Sequence, residues 1–179
     1  MEAAVITACI TLVGFIVVNF IAEDFRRFRN GTSVAAGLAG ELGSYKEPQE
    51  LLLKYMTQMT EIITKGHRQT LAFRGIDQPK DRIFEANLAN LGLLGPDLVE
   101  EVAYVYGKIN GFRVGFGLIH EHHADMPDNE LIARLQGARD AIESAGTRGQ
   151  LLVAKLSARA KLTFMDWLLS HFQREFRPH

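Results

Sequence analysis

The most distinctive pattern in the chain is an apolar run near its amino terminus. From Ala3 to Ala22 the sequence reads AAVITACITLVGFIVVNFIA, without a single charge. Because a helix rises 1.5 Å per residue, this run measures about 30 Å, the thickness of a bilayer's hydrocarbon core. Its Val, Ile, Leu and Phe residues together favour insertion by about 3 to 6 kcal/mol. The pattern predicts a transmembrane anchor with its basic flank over residues 1–30.

The charges on either side of this run predict its orientation. Only Glu2 precedes it, whereas Arg26, Arg27 and Arg29 follow it. Positively charged flanks stay cytoplasmic, so we expect a single-pass membrane protein with residues 31–179 in the cytoplasm. A cleaved signal peptide fits less well, since no basic residue precedes the run and no small-x-small cleavage site follows it. A buried core helix is the other alternative, but the abrupt change to EDFRRFRNG favours a membrane interface.

The rest of the chain has helical rather than alternating periodicity. Apolar residues recur three and four positions apart after Pro48, Pro79 and Pro96, and Pro127 precedes a similar segment. Proline suits the first helical position, and the acids that follow each of these prolines favour the positive end of the helix dipole. We therefore predict an all-α fold, with an N-terminal transmembrane helix followed by a cytoplasmic bundle of about six helices. These helices are expected near residues 32–45, 48–65, 79–91, 96–123, 127–145 and 149–176.

Small residues form stripes on several predicted helices. Gly107, Gly111 and Gly115 recur every four residues. Each glycine inside a helix costs about 1 kcal/mol relative to alanine, so three together need an offsetting gain of about 3 kcal/mol. Close approach of a second helix supplies such a gain and predicts helix packing or self-association at these positions. The same spacing relates Ala36 to Gly40 and Gly137 to Ala141.

Clustered histidines after the glycine stripe raise the alternative of a metal-binding enzyme. His120, Glu121, His122 and His123 offer nitrogen and oxygen ligands within four residues. A zinc-protease helix requires H-E-x-x-H, and the residue four after His120 is Ala124. Histidines near a helix C-terminus also stabilise the negative end of the dipole. The cluster is therefore a weak metal candidate, and no metal, catalytic residue or other cofactor is predicted.

The C-terminal segment KLTFMDWLLSHFQREFRPH combines aromatic and basic residues. Trp167, Phe172 and Phe176 join the three arginines after the apolar run as candidate membrane-flank residues. From residue 148 onward, six Lys or Arg face two acids. A basic helix with an aromatic face can lie in a membrane interface or enter a partner's groove. The other interpretation is that this aromatic stripe packs inward and forms the last wall of the bundle core.

Composition narrows the function classes. The 179 residues carry a net charge of -1, so no basic field supports nucleic-acid binding. A single cysteine, Cys9, rules out an intrachain disulfide. No G-x-S-x-G elbow and no complete phosphate-binding loop is present. We expect a non-enzymatic scaffold or accessory subunit that binds the bilayer and a protein partner or its own copies; a membrane-perturbing oligomer is a further alternative.

The stretch IFEANLANLGLLGPDLVEEVAYVYGKI resembles a pattern of uncharacterised bacterial single-pass inner-membrane proteins that have an N-terminal anchor and a cytoplasmic helical domain. The resemblance implies a bacterial inner membrane as the location of the single span, and it implies no activity. Its matching residues are Phe84, Glu85, Asn87, Leu91, Gly92, Leu93, Leu94, Pro96 and Leu98.

Overall fold

The structure, a computed structural model, describes residues 2–73 and 81–175, and the side chains of residues 2–10, 12, 13, 16 and 170–175 lie outside that description. The described part of the chain is helical and contains no strand, which confirms the all-α prediction. Its α-helices are α1 (Glu2–Ser44), α2 (Lys46–Thr64), α3 (Arg82–Asn87), α4 (Pro96–His122), α5 (Asp128–Lys161) and α6 (Phe164–Glu175). Short 3-10 helices cover Arg68–Thr70, Leu88–Leu94 and His123–Asp125.

Helix α5 lies at the centre of the bundle, and α1, α2 and α4 all pack against it. Its buried residues follow one another at alternating steps of four and three. This is the spacing of a coiled-coil seam, which keeps one stripe facing its neighbours along the whole helix. The stripe consists of Leu131, Leu135, Ala138, Ile142, Ala145, Gly149, Leu152, Leu156 and Arg159.

The predicted break between residues 145 and 149 is wrong. Helix α5 continues through Gly146 and Gly149, because Ala145 and Gly149 are successive members of the buried stripe and their burial outweighs the poor helix propensity of glycine. The chain leaves the helix at Leu162 and Thr163 instead. The Thr163 hydroxyl accepts a hydrogen bond from the backbone N–H of Asp166 at 3.2 Å, which caps the start of α6.

The predicted helix end near residue 29 is also absent. Helix α1 runs for 43 residues and crosses residue 30 without interruption. Among the described residues, no helix has an apolar stretch of the length that a membrane span requires. The anchor predicted over residues 1–30 is therefore unsupported by the fold, and part of the apolar run, including Cys9, lies outside the described side chains.

Proline and glycine mark several of the other helix boundaries. Pro96 opens α4 as predicted, directly after Gly95, whose φ of 90° lies in the left-handed region that glycine adopts freely. Pro48 is the third residue of α2, and Pro127 immediately precedes α5. Pro79 lies outside the described residues. The segment predicted as one helix over 79–91 is divided into α3 and the 3-10 helix that follows it.

Candidate functional site

Four aromatic rings from the two ends of the chain form a cluster on the side of α1. Phe25 and Phe28 of α1 meet Phe164 of α6 with ring centroids 5.2 Å and 5.5 Å apart. Trp167 lies 5.7 Å from Phe28 and 5.8 Å from Phe164. Such edge and tilted contacts are favourable geometries for aromatic pairs. We call these four residues the aromatic collar, because they lie where α1 leaves the bundle.

Beyond the collar, the first half of α1 exposes those of its apolar side chains that the structure describes. We call residues 2–24 the stalk. Those of its large apolar side chains that the structure describes are 49% to 70% exposed, with Phe15 at 67% and Phe20 at 70%. Asn19, the most polar residue of the uncharged part Ala3–Ala22, donates a side-chain hydrogen bond to the backbone carbonyl of Phe15 at 2.9 Å. The remaining exposed residues of this set are Val17, Val18 and Ile21.

Basic and apolar groups surround the collar. Arg26, Arg27 and Arg29 are exposed, and Arg26 pairs with Glu23 one turn earlier on α1. On α6, Met165 and Leu169 are 61% and 58% exposed, although the same helix places Phe164 against α1. Helix α6 therefore has one face on the bundle and an apolar face that the described residues leave uncovered.

Arg159 lies just below the collar as a buried cation. Only 8% of the residue is exposed, and its guanidinium lies over the Phe28 ring at 5.2 Å. Its Nη1 is 3.4 Å from the Thr32 hydroxyl, and its Nη2 finds no hydrogen-bond partner among the described residues. Burial lowers the pKa of this guanidinium, because desolvation disfavours its charged form.

A second polar cluster connects α1, α3 and α4 deeper in the bundle. The Glu41 carboxylate accepts hydrogen bonds from the backbone N–H groups of Ile83 and Phe84, at 2.8 Å and 3.1 Å, and from the Tyr106 hydroxyl at 2.7 Å. It thus caps α3 from a different helix. The Phe84 ring stacks on Tyr106 with centroids 3.9 Å apart, which fixes α3 against α4.

Asp81, the residue before α3, completes this cluster. It is 7% exposed and accepts hydrogen bonds from the Tyr45 hydroxyl at 2.8 Å and from both terminal nitrogens of Arg113. Burial and hydrogen bonding to a carboxylate raise the pKa of both Tyr45 and Tyr106 above the usual phenol value. Because both carboxylates accept several hydrogen bonds, the arrangement is suited to fixing helices.

The predicted histidine cluster does not assemble a metal site in the described part of the chain. No three His, Cys, Asp or Glu side chains there lie close enough to share an ion. His120, Glu121 and His122 are exposed. The Nδ1 of His123 donates to the His120 carbonyl at 2.9 Å, and its ring stacks on Phe73 at 4.3 Å.

The predicted glycine stripe lies at the surface. Gly107 and Gly111 are exposed, and a Cβ added at either position would meet no described atom within 4 Å. At Gly115 it would only touch the Ala138 methyl, at 4.0 Å. These glycines and their neighbours Val114 and Leu118, which are 57% and 40% exposed, remain candidates for an interface with another chain. Of the other stripe residues, Ala36, Gly40 and Gly137 are exposed and Ala141 is half-buried.

Two basic residues that precede the C-terminal segment are exposed on α5 and contact residues of α4. Arg148 lies over the Tyr104 ring at 4.0 Å, and Lys155 pairs with Glu101. The predicted interface residue Trp167 joins the collar. The Phe172 side chain and all of Phe176 lie outside the description.

Several residues that organise the site gave no signal in the sequence. Glu41, Asp81 and Arg113 have partners 32 to 65 residues away, so no local pattern relates them. Arg68 is a further case, since its guanidinium donates to the carbonyls of His123 and Met126 and pairs with Asp128. It joins the end of α2 to the turn between α4 and α5.

Comparisons with known proteins return nothing: no family model, no curated protein and no solved structure matches the chain.

Proposed function

We propose that this protein is a non-enzymatic membrane-bound scaffold or accessory subunit whose stalk inserts into a bilayer and whose bundle binds a protein partner or its own copies. The observation that carries the proposal is the exposure of the described apolar side chains in Ala3–Ala22, the uncharged part of the stalk. Phe15, Val18 and Phe20 are 66% to 70% exposed on a helix that continues unbroken into the bundle. Contiguous apolar surface of this kind is rare on soluble monomers and marks a surface that something else covers.

A bilayer suits this surface because the collar and its arginines match a membrane interface. Aromatic residues concentrate at the headgroup level, where their amphipathic rings are partly wet. Trp167 and Phe25 lie at the base of the stalk, and the exposed Arg27 and Arg29 follow Phe25 along α1. The exposed apolar face of α6 would then lie against the same interface.

The arginines also support an orientation. Positive flanks remain on the cytoplasmic side, so the bundle belongs in the cytoplasm of a bacterium whose inner membrane holds the stalk. A variant with Cys9→Ser and Leu151→Cys carries one cysteine at a position that is 64% exposed in the wild type. An impermeant maleimide should label it only after the inner membrane is opened. Labelling of intact spheroplasts would show that the bundle lies on the opposite side of the membrane.

Membrane insertion is tested with the full chain by adding charges to the stalk. An aspartate near the middle of a span costs about 3 kcal/mol, so Phe15→Asp with Val18→Asp should cancel most of the insertion energy. We expect the wild type to stay in the membrane pellet after a carbonate wash and the double variant to be extracted.

The matched control places the same charges on the bundle. Leu51 and Leu151 are 69% and 64% exposed, so Leu51→Asp with Leu151→Asp should leave the protein in the pellet. The proposal fails if carbonate extracts the wild type, or if the stalk variant stays in the pellet as firmly as the control.

A further inference from the structure

The bundle contains an apolar cleft on the side away from the collar. Its volume is about 290 Å³, and it lies between the end of α1, the start of α2, and the middle parts of α4 and α5. Ile109, Phe112 and Ile142 are among its buried walls, whereas Lys46 and Gln150 on its edge are exposed. This volume is at the lower limit of small-molecule sites, and the mixture of apolar walls and a few polar groups is typical of them.

Gly149 keeps one wall of this cleft open. It is buried in the α5 stripe, and a Cβ added there would make only an ordinary contact, 3.7 Å from Val105 Cγ1. Packing therefore does not require a glycine here, although glycine weakens a helix interior. What the glycine preserves is the space in the cleft, because any side chain longer than alanine would project into it.

Charge in the cleft has one sign. The charged side chains among its lining residues are the cations Lys46 and Arg113. Arg113 already pairs with Asp81, whereas Lys46 makes no hydrogen bond or ion pair with any described residue. Gln49 is held by its own contact, donating from Nε2 to the Ile142 carbonyl at 2.9 Å. The ammonium group of Lys46, at the edge of the apolar cleft, is thus available to bind an anion.

From this combination we infer that the cleft binds a small anionic amphiphile, with an alkyl chain among Ile109, Phe112 and Ile142 and its anionic head at Lys46. The apolar walls suit the chain, and a compact ammonium group suits a carboxylate or a phosphate. A free fatty-acid anion and an anionic lipid share this chemistry. The inference does not depend on the proposed scaffold role, since the cleft lies within the bundle.

The probe is a decanoate that carries a photoreactive diazirine at the end of its chain, added to the full-length protein in phosphatidylcholine nanodiscs. After irradiation, mass spectrometry of peptides should find the label within residues 42–53, 105–113 and 142–153, and excess decanoate should abolish it. If phosphatidylglycerol in the nanodisc also suppresses this label, the ligand is an anionic lipid. If it does not, the ligand is a free fatty-acid anion. Both results place an anionic amphiphile in the cleft.

Two substitutions separate the cleft from the apolar stalk. Gly149→Met fills the cleft and should lower labelling at least tenfold. Gly137→Met is the matched control, because Gly137 is exposed on the same helix with no described atom near its Cβ position, and it should change nothing. Label confined to the stalk and α6, or equal label in both variants, would overturn the inference.

Lys46→Gln tests the head group without disturbing the core, since Lys46 is exposed. It should weaken competition by decanoate about tenfold while leaving competition by the neutral decanol unchanged. Equal effects on the two competitors would show that Lys46 does not recognise the charge. The competition experiment with Lys46→Gln tests the inference even if the Gly149→Met variant fails to fold.

Discussion

Gly31 occupies the tightest helix contact on the described part of α1. A Cβ added there would lie 2.8 Å from the Leu93 carbonyl oxygen and 3.0 Å from the Arg159 Nη2. The carbonyl belongs to the backbone of a neighbouring 3-10 helix and cannot move aside cheaply. Glycine at this position thus allows α1 to approach both the turn before α4 and the buried cation of α5.

Two glycine substitutions on the same helix should therefore have opposite effects. Gly31→Ala should lower the free energy of unfolding by about 1 to 3 kcal/mol, because the added methyl overpacks the contact. Gly40→Ala should raise it by about 1 kcal/mol, since Gly40 is exposed with no described atom near its Cβ position. Urea unfolding of both variants, followed by circular dichroism in mild detergent, measures the difference. Equal effects of the same sign would contradict the described contact.

Tyr45 and Tyr106 make the bundle sensitive to alkali. Their pKa values are raised in the folded chain, whereas in the unfolded chain both phenols lose a proton near pH 10. Above that pH the unfolded state binds fewer protons than the folded state, so the free energy of unfolding falls as pH rises. The stabilisation is fully present below pH 10, and its loss amounts to about 1.4 kcal/mol per pH unit for each tyrosine.

Tyr106→Phe should remove one of these two contributions. We expect its free energy of unfolding to fall less steeply than that of the wild type between pH 10 and 11, by about 1 kcal/mol over that pH unit, because half of the unfolded phenols are still protonated at pH 10. Urea titrations at pH 9, 10 and 11 measure both slopes. At pH 9 the variant should be the less stable protein, because it lacks the hydrogen bond to Glu41. Parallel pH profiles would mean that Tyr106 ionises alike in both states.

The sequence signals that predict helix boundaries most reliably are those whose physical cause is local. The start of α4 was predicted because Gly95 and Pro96 set the backbone there directly. The continuity of α5 is not predicted, because Gly146 lowers the local helix propensity between the helices expected over 127–145 and 149–176. Their cost is outweighed by burial between α1, α2 and α4, and only the alternating three- and four-residue spacing of the apolar positions carried that information.

The polar cluster around Glu41 and Asp81 could not be predicted from the sequence, because its contacts are not local either. Glu41 caps α3 although 42 residues separate it from Ile83, and Asp81 meets Arg113 across 32 residues. A charged residue on a predicted helix is usually solvated, so neither acid differed from its exposed neighbours. Of the candidate interface, the sequence identified Trp167 and the arginines, but its pattern did not show that Phe25, Phe28 and Phe164 would join the ends of the chain.

Helix α6 and the collar should lie at the headgroup level of the bilayer. Trp167 is the chain's single tryptophan, so its fluorescence reports this position without labelling. In vesicles with brominated lipids, we expect stronger quenching by bromines near the headgroups than by bromines near the bilayer centre. Phe15→Asp with Val18→Asp should abolish this quenching. Maximum quenching from the bilayer centre, or none, would contradict an interfacial collar.

For the whole molecule, the exposed face of α4 is where copies of the bundle are expected to meet. Gly107 and Gly111 lie beside the exposed Val114, a combination that lets a second helix approach closely. Light scattering of the full chain in mild detergent should give a multiple of the 20.0 kDa protomer mass. Gly107→Gln with Gly111→Gln should reduce it to one protomer, whereas Ala154→Gln, at an exposed small residue of α5 outside the predicted stripes, should not. An unchanged assembly in the α4 variant would exclude this face.

The unbroken path of α1 also has a mechanical consequence. Spanning helices tilt by about 20° on average, and the angle follows the thickness of the bilayer. Because α1 has no hinge between its stalk and its buried half, a tilt of the stalk is transmitted to everything attached beyond it. Over the roughly 29 Å from Phe25 to the end of α1, that angle moves the far end sideways by about 10 Å. The lateral position of the bundle would then depend on the thickness of the membrane.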